Sequence, residues 1–505
     1  MFKANNSNDY LDSRKIHIKP LVNQDFNLNG SNNQVKFHIN PENVPFFVPN
    51  RTYLKMDIQL EGTFCNYKLC ASAGAHSVIR NLRILSQGQE LENVQEYNSI
   101  VAMKYARDTN DTLEQKRTLF EGVSRVTDNQ KSLYNSGAND WLAGAVTANA
   151  NYKKINVELP IHAGLFQKKE LHSNLAMPLD LTFDLEHLKR AVQRIVAPVT
   201  VSSNGAVLAT AVSASAAITS VDVEITAVKD NYFMIGDSVS IFNGSNTEPL
   251  GTILTMTKNS ANKLRLTFAS VTPSNAYTTS NGKVFVSTSD AQREALLDVT
   301  LSEVQLVTTV VTPPADYVSS LLKMVQSSNG LSVPLKTFEL QRVNLTSPTG
   351  LQTISIPNQT YRNVLSTFSV VHDTATLKDV NSDTLIGIVD NLSNYQYVYG
   401  SELVPNREVD TRRYATNDTN AIHCNELMKA YHNASIDVKD IHRISQTGFL
   451  VARAWSDNGN VSDLSEEPLS LNLEYGSTAT KNKIVYNFIC NMRNANVSPA
   501  GVKVM

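Results

Sequence analysis

Apolar and polar residues alternate along much of this chain. In Tyr53–Glu61 (YLKMDIQLE) and Val299–Val307 (VTLSEVQLV) the alternation has a period of two, which predicts strands with one buried face. Lys336–Leu345, Gln352–Ile356, Phe449–Ala454, Leu469–Leu473 and Lys483–Phe488 follow it less strictly. Pro, Gly, Asn and Asp clusters punctuate these runs, as in antiparallel sandwiches rather than βαβ units. Helical spacing appears in three places. Glu96–Arg107 sets Tyr97, Ile100, Val101, Lys104 and Tyr105 at helical intervals. Thr112–Val123 opens on Thr112-x-x-Gln115, a capping-box pattern, and Asn425–His432 puts Leu427, Met428 and Tyr431 on one side. Short helices in a mostly β chain predict loop helices that cap a sandwich.

An internal repeat organises the pattern. Gly164-Leu165-Phe166 precedes Pro178-Leu179-Asp180-Leu181-Thr182-Phe183-Asp184-Leu185-Glu186, and Gly448-Phe449-Leu450 precedes Pro468-Leu469-Ser470-Leu471-Asn472-Leu473-Glu474. Proline is tolerated where a strand starts, because no ladder donor is needed there. The alternating leucines then turn one face to a core. Each copy follows one of the helical stretches.

The offset between the copies is longer than one sandwich needs, and composition shows why. Residues 197–290 are rich in Thr, Ser, Ala and Val, with strand-like runs at Ser220–Thr226, Ser238–Phe242, Thr252–Thr257, Leu264–Phe268 and Lys283–Val286. Asn243-Gly244 and Asn281-Gly282 supply turns between them. An extra β module on a loop of the first sandwich is expected here. The fold class is therefore all-β: a tandem (double) jelly roll with a few short loop helices and a small β module inserted in the first roll. The expected division is an N-terminal arm at 1–35, a first roll at 36–312 carrying the 197–290 module, and a second roll at 313–505. Pro313-Pro314 in Thr308–Val318 marks the link.

Charge and composition narrow the function. The 505 residues carry 45 Lys+Arg against 47 Asp+Glu, a formal net charge of −2, so no basic excess is available to neutralise phosphates. Specific nucleic-acid binding is not expected. Four cysteines (Cys65, Cys70, Cys424, Cys490) are too few for a disulfide scaffold and read as reduced thiols. The N-terminal residues lack an apolar signal-peptide core, no stretch reaches the length of a transmembrane segment, and Asn-x-Ser/Thr triplets such as Asn243 and Asn344 read as bystanders.

Catalytic patterns are missing from the sequence: there is no GxxxxGK[ST], GxGxxG, GxSxG or HExxH. His423 and Glu426 share a helical face, but His432 is half a turn out of phase, so a metal site there is not expected. Cys424 is adjacent to His423 and cannot face it on a helix. Trp141 and Trp455 are too few for saccharide platforms, with Trp455 continuing a strand alternation, and Glu466-Glu467 reads as a solvated loop. Lys153-Lys154 and Lys168-Lys169 read as loop charges at a sandwich end. No catalytic, cofactor-binding or metal residue is assigned, no cofactor is expected, and the chain is not read as an enzyme. A carbohydrate-binding or glycan-active β-sandwich protein remains the alternative.

Several ordered segments resemble a known family. Ser77–Tyr105 (SVIRNLRILSQGQELENVQEYNSIVAMKY) places a hairpin at Gln87-Gly88-Gln89 ahead of a loop helix. Val157–Glu186 carries a Leu-Pro…Pro-Leu-x-Leu segment, and Tyr395–Pro405 and Glu467–Leu473 match in the second roll. Together they resemble the double jelly-roll major capsid proteins of icosahedral DNA viruses, with mavirus-like virophages and polinton-like viruses as the nearest kin. The likeness covers nearly the whole chain outside 197–290. It implies a structural protein of the virion capsid, a homotrimer forming a pseudo-hexameric capsomer that tiles an icosahedral shell. Its partners would be neighbouring capsomers, a penton protein and minor capsid proteins. It would be assembled in the host cytoplasm or a viral factory. The resemblance also places the arm at the inner face or between capsomers, and the inserted module in an outer tower.

Overall fold

A computed structural model describes residues 12–22, 24–31, 33–62, 67–108, 111–121, 145–146, 155–194, 199–224, 232–260, 262–288, 297–327, 330–358, 361–380, 382–411, 421–439, 448–456, 461–477 and 481–504. Strands dominate among the described residues; six of seven sheets form three two-sheet sandwiches, and Tyr67–Leu69 pairs with Val192–Arg194 in a separate two-stranded ribbon.

In the first roll, Tyr53–Gly62 lies between Ile155–Pro160 and the long Leu297–Thr312 strand, all antiparallel. The facing sheet runs Gln34–Ile39, Leu179–Leu185, Ile79–Ser86, Gln89–Val94. The turn Gln87-Gly88 has positive φ at both residues (50° and 81°), the geometry a two-residue hairpin requires. Residues Asp12–Ile18, expected to be an arm, pair antiparallel with Leu306–Thr312 and extend the first sheet. That strand is largely exposed, so it has no apolar alternation to show in the sequence.

The second roll repeats the arrangement. Gly350–Ile356, Leu469–Tyr475, Leu392–Tyr399 and Glu402–Asp410 make one sheet. Leu331–Leu345, Lys483–Ser498, Val364–Asp373 and Leu450–Ala454 make the other, with Gly501–Val504 added alongside Lys483–Ser498. Both copies of the Pro-Leu-x-Leu repeat become inner strands of a four-stranded sheet, Leu179–Leu185 in one roll and Leu469–Tyr475 in the other.

Among the described residues, helices form at the three stretches where spacing predicts them, Tyr97–Asp108, Asp111–Glu121 and Ala421–Asn433, and at two that spacing does not mark, Leu188–Ala191 and Ala315–Gln326. They are α1 (Tyr97–Asp108), α2 (Asp111–Glu121), a short α3 (Leu188–Ala191), α4 (Ala315–Gln326) and α5 (Ala421–Asn433). α2 already includes Asp111, which puts Thr112 inside the first turn rather than at the cap. On α5, Leu427 and Tyr431 are buried but Met428 is 39% exposed, so the apolar side is narrower than expected. After Pro313-Pro314 the chain enters α4 directly.

The insertion forms its own sandwich. One sheet runs Ala206–Val207, Lys283–Val286, Ser238–Phe242, Thr247–Thr252; the other runs Ile218–Glu224, Lys263–Val271, Thr255–Ser260 and Ala145–Val146. The expected strand Thr252–Thr257 is in fact split across these two sheets, ending one strand at Thr252 and starting another at Thr255. Its core (Phe233, Val239, Ile241, Leu264, Leu266, Phe268 and others) is separate from that of the rolls, and only Met234 of the module joins the rolls' core. No helix among the described residues is long and apolar enough to cross a membrane.

Candidate functional site

The two rolls share one continuous core, and the chemistry of the molecule concentrates where they meet. Ile84, Leu91, Val94, Ile100 and Met103 of the first roll belong to the same buried cluster as Phe338, Phe368, Tyr431, Phe488 and Cys490 of the second. The sheet containing Val364–Asp373 therefore has two covered faces. Phe368 and Val370 point into the shared core, while Val371, Val451, Val485 and Ile489 point into the second roll's own core. All ten residues of Val364–Asp373 are buried, polar ones included. Ser366 Oγ donates to the Ala430 carbonyl, and Ser369 lies 3.2 Å from the Tyr397 hydroxyl.

α1 is the pin of this junction. It is buried from Tyr97 to Arg107; Lys104 and Arg107 reach into the second roll, while Tyr97, Asn98 and Tyr105 bond within the first. The Tyr431 hydroxyl on α5 donates to the Met103 carbonyl at 3.1 Å, and Arg107 Nη2 donates to the Gly448 carbonyl at 3.1 Å. Lys104 lies over the Phe338 ring, and burial lowers its pKa from 10.5 to about 8.

The repeat glycines both sit here. A side-chain carbon on Gly164 would fall 2.1 Å from the Lys336 carbonyl oxygen, so a first-roll turn touches second-roll backbone. Glu92 anchors that turn by accepting from Gly164 N at 2.7 Å and Leu165 N at 2.6 Å. Burial nevertheless raises the Glu92 carboxyl from 4.5 to about 7, the two backbone donors offsetting only part of the desolvation. The copies differ locally: Gly164-Leu165-Phe166 opens a 3-10 turn, whereas Gly448, at φ 119°, leads straight into Leu450–Ala454.

A buried ion network spans the same boundary. Glu96, at 1% side-chain exposure, receives Arg190 at 2.8 Å from its own roll and Arg342 at 2.6 Å from the other. Arg190 also reaches Glu186 at 3.2 Å. Ser72 donates through its backbone and hydroxyl to Asp383, adding a further roll-to-roll tie.

The residues weighed from sequence go elsewhere. His423 is buried, its Nδ1 3.1 Å from the Tyr395 hydroxyl and its ring stacked on Phe449; burial holds its pKa down at about 3. Glu426 is paired with Arg453 at 2.5 Å and His432 is exposed, so the three do not converge. Cys70, Cys424 and Cys490 are buried free thiols. Trp455, half-buried against the second roll's core, packs edge-on to Tyr397 and donates to Thr367 Oγ1 at 3.3 Å. Glu466 and Glu467 are exposed, and burial lowers the pKa of Lys168. Trp141, Cys65 and Lys153-Lys154 lie outside the described residues.

Sequence reading missed a second cluster, formed by His76, Tyr105, Glu121 and His162 between the Gly74–Val78 turn, α1, α2 and the residues after Ile155–Pro160. The His76, Glu121 and His162 ligand atoms all lie within 4.8 Å of one another. They are scattered over the sequence, and no local motif announces them. A cavity of about 340 Å³ lies under α4, walled by Leu171, Tyr317, Leu321, Met324, Leu331 and Pro334. The imidazole on its wall, His172, is engaged with the Met177 carbonyl at 2.9 Å.

No family model and no curated protein sequence matches this chain. Solved structures do. A chain of the Sputnik virophage cryo-EM structure aligns with TM-score 0.52 at 10% identity, over 100% of this chain and 91% of its own. The Faustovirus major capsid protein aligns with TM-score 0.52 at 8% identity, over 96% of this chain and 90% of its own. The mavirus major capsid protein overlays less closely, at TM-score 0.39 and 8% identity over 97% and 89%. With two sandwiches fused through α1 and spanning nearly the whole length of both closer structures, the chain has the double jelly-roll fold that the Faustovirus major capsid protein also has.

Proposed function

We propose that the chain is a major capsid protein, three copies of which associate into a pseudo-hexameric capsomer that tiles an icosahedral shell. The observation that carries this reading is the junction. Two similar rolls share one core and a buried ion network, so each chain is a rigid block presenting two roll-sized edges, and three such blocks give six. The near-full-length likeness in fold to the Faustovirus major capsid protein supports it. So does the net charge of −2, which leaves little long-range repulsion between packed copies. The role is structural rather than catalytic. The inserted module, with a core of its own, is suited to project from the shell as a tower. Neighbouring capsomers, a penton protein and minor capsid proteins would be the partners, in a virion assembled in the host cytoplasm or a viral factory.

Light scattering on the purified chain, followed by negative-stain imaging of the same peak, tests this. The expected result is a particle of three times 55.7 kDa with a hexagonal outline. A chain that stays monomeric at high concentration overturns the proposal.

A further inference from the structure

The cluster around Tyr105 has the composition and spacing of a metal site. His76 Nε2 lies 3.2 Å from Glu121 Oε2 and 3.2 Å from the Tyr105 hydroxyl oxygen. That oxygen is 2.8 Å from His162 Nε2 and also contacts Glu121 Oε2. Four ligand-type atoms thus crowd one small volume. Zinc with ligands at about 2.0–2.2 Å in a tetrahedron sets ligand-to-ligand separations of about 3.3–3.6 Å. The two His76 separations are close to that figure, whereas the Tyr105 oxygen sits nearer to His162 and nearer still to Glu121, so an ion has to push these groups apart.

Counting protons sharpens the case. The Tyr97 hydroxyl donates to the Pro160 carbonyl at 3.3 Å and accepts from His162 N at 3.1 Å. With its one proton committed, it can only accept from His76 Nδ1, which is 3.4 Å away. With a neutral His76, Nε2 carries a lone pair directed at a carboxylate oxygen and a phenol oxygen, and the Tyr105 proton is already given to Glu121; a protonated imidazole or a bound cation relieves this. A cation at the centre resolves this meeting of acceptors, and Tyr97 is the outer partner that fixes the His76 tautomer. Charge also balances. A divalent ion with one carboxylate and one phenolate is neutral, and the nearby Arg117, 3.8 Å from the Tyr105 ring centroid, is paired with Asp108 at 2.6 Å.

We propose that His76, His162, Glu121 and Tyr105 bind one zinc-class divalent ion, which ties α2 to the first roll. Binding forms two metal–nitrogen and two metal–oxygen bonds and releases the Tyr105 hydroxyl proton to solvent. The imidazoles, carboxylate and phenolate suit zinc or cobalt over magnesium or calcium, which take oxygen ligands alone.

The test uses the full chain, purified without chelator and dialysed, with metal content measured by mass spectrometry. About one zinc per chain is expected. His162→Gln, at a partly exposed position, and Glu121→Gln should lose it, and Tyr97→Phe should weaken zinc binding about 10- to 100-fold in a chelator competition. Cobalt added to the stripped chain should give tetrahedral d–d absorption, with a phenolate charge-transfer band that Tyr105→Phe removes. Absence of retained zinc together with no rise in melting temperature on adding zinc to the stripped chain overturns the proposal. So does equal zinc retention by His162→Gln and Glu121→Gln. These readouts do not depend on oligomeric state, so their failure leaves the capsomer reading untouched, and the reverse holds too.

Discussion

Substituting Gly164 by alanine isolates the contact between the two rolls. Gly164 has φ −56° and ψ −40°, a conformation alanine adopts freely, so backbone strain contributes nothing. By local preference alone the change should stabilise the chain by about 0.4–1 kcal/mol through the unfolded state. The structure reverses that sign. The new methyl carbon would sit 2.1 Å from the Lys336 carbonyl oxygen and 2.7 Å from its nitrogen, where 3.0 Å is the practical floor. The obstacle is backbone inside a paired strand, so no side-chain rotation relieves it. The rolls must part by nearly an ångström at this point, stretching the two bonds that hold Gly164 and Leu165 to Glu92. Overpacking of this kind costs about 1–3 kcal/mol, and loosening the buried Glu92 bonds adds about 1–3 more. A net destabilisation of about 1–6 kcal/mol follows. It would be read as a lower urea midpoint at unchanged slope, at matched protein concentration. Gly88→Ala is the control, since nothing lies within 4 Å there and only its φ of 81° is at issue. A Gly164→Ala chain as stable as the parent would refute the close approach of the rolls.

Glu96→Ala should cost about 1.5–3 kcal/mol in the same assay, because it leaves the buried Arg190 with Glu186 alone, whereas Arg342→Ala, at 38% exposure, should cost under about 1 kcal/mol. The Glu92 carboxyl is raised from 4.5 to about 7, so between those pH values the native chain holds a proton the unfolded chain has lost. Stability should therefore fall by about 3 kcal/mol as pH rises through that window and level off above it. Glu92→Gln should flatten this slope in urea midpoints taken across pH 4.5 to 7, and an unchanged slope would refute the assignment. Lys104, lowered to about 8, acts only at higher pH, where stability should rise instead. Replacing residues 199–288 with a flexible linker should leave the rolls folded, at the cost of the Met234 contacts, about 2–5 kcal/mol, and of the Ala145–Val146 pairing with Thr255–Ser260. Loss of the rolls' unfolding transition would show that the module is not independent.

What could be read from the chain follows from how each element is covered. Strands with one wet face, such as Tyr53–Gly62 and Leu469–Tyr475, alternate and are legible. Val364–Asp373 (VLSTFSVVHD) is covered on both faces and buries serines, a threonine and a histidine, so period two disappears. Asp12–Ile18 fails for the opposite reason, being an exposed edge held by backbone pairing. The junction was partly visible, because the repeat glycines marked it without saying why. Its partners Lys336 and Arg107 are far away in sequence, and so are the members of the His76, Glu121 and His162 cluster. Their convergence depends on sheet register and helix docking that no local window contains.

The shared core also determines how the chain would bear force. In a protein with two domains on a tether, a pull on one domain stretches the linker before either domain yields. Here the pull on one roll passes at once through α1, the Tyr431–Met103 bond and the Glu96 arginines into the other roll. Rupture would have to open hydrophobic surface and bare a buried carboxylate in the same step. A subunit built this way has no soft joint. If copies of this chain tile a closed shell as proposed, they would part from their neighbours before coming apart within themselves.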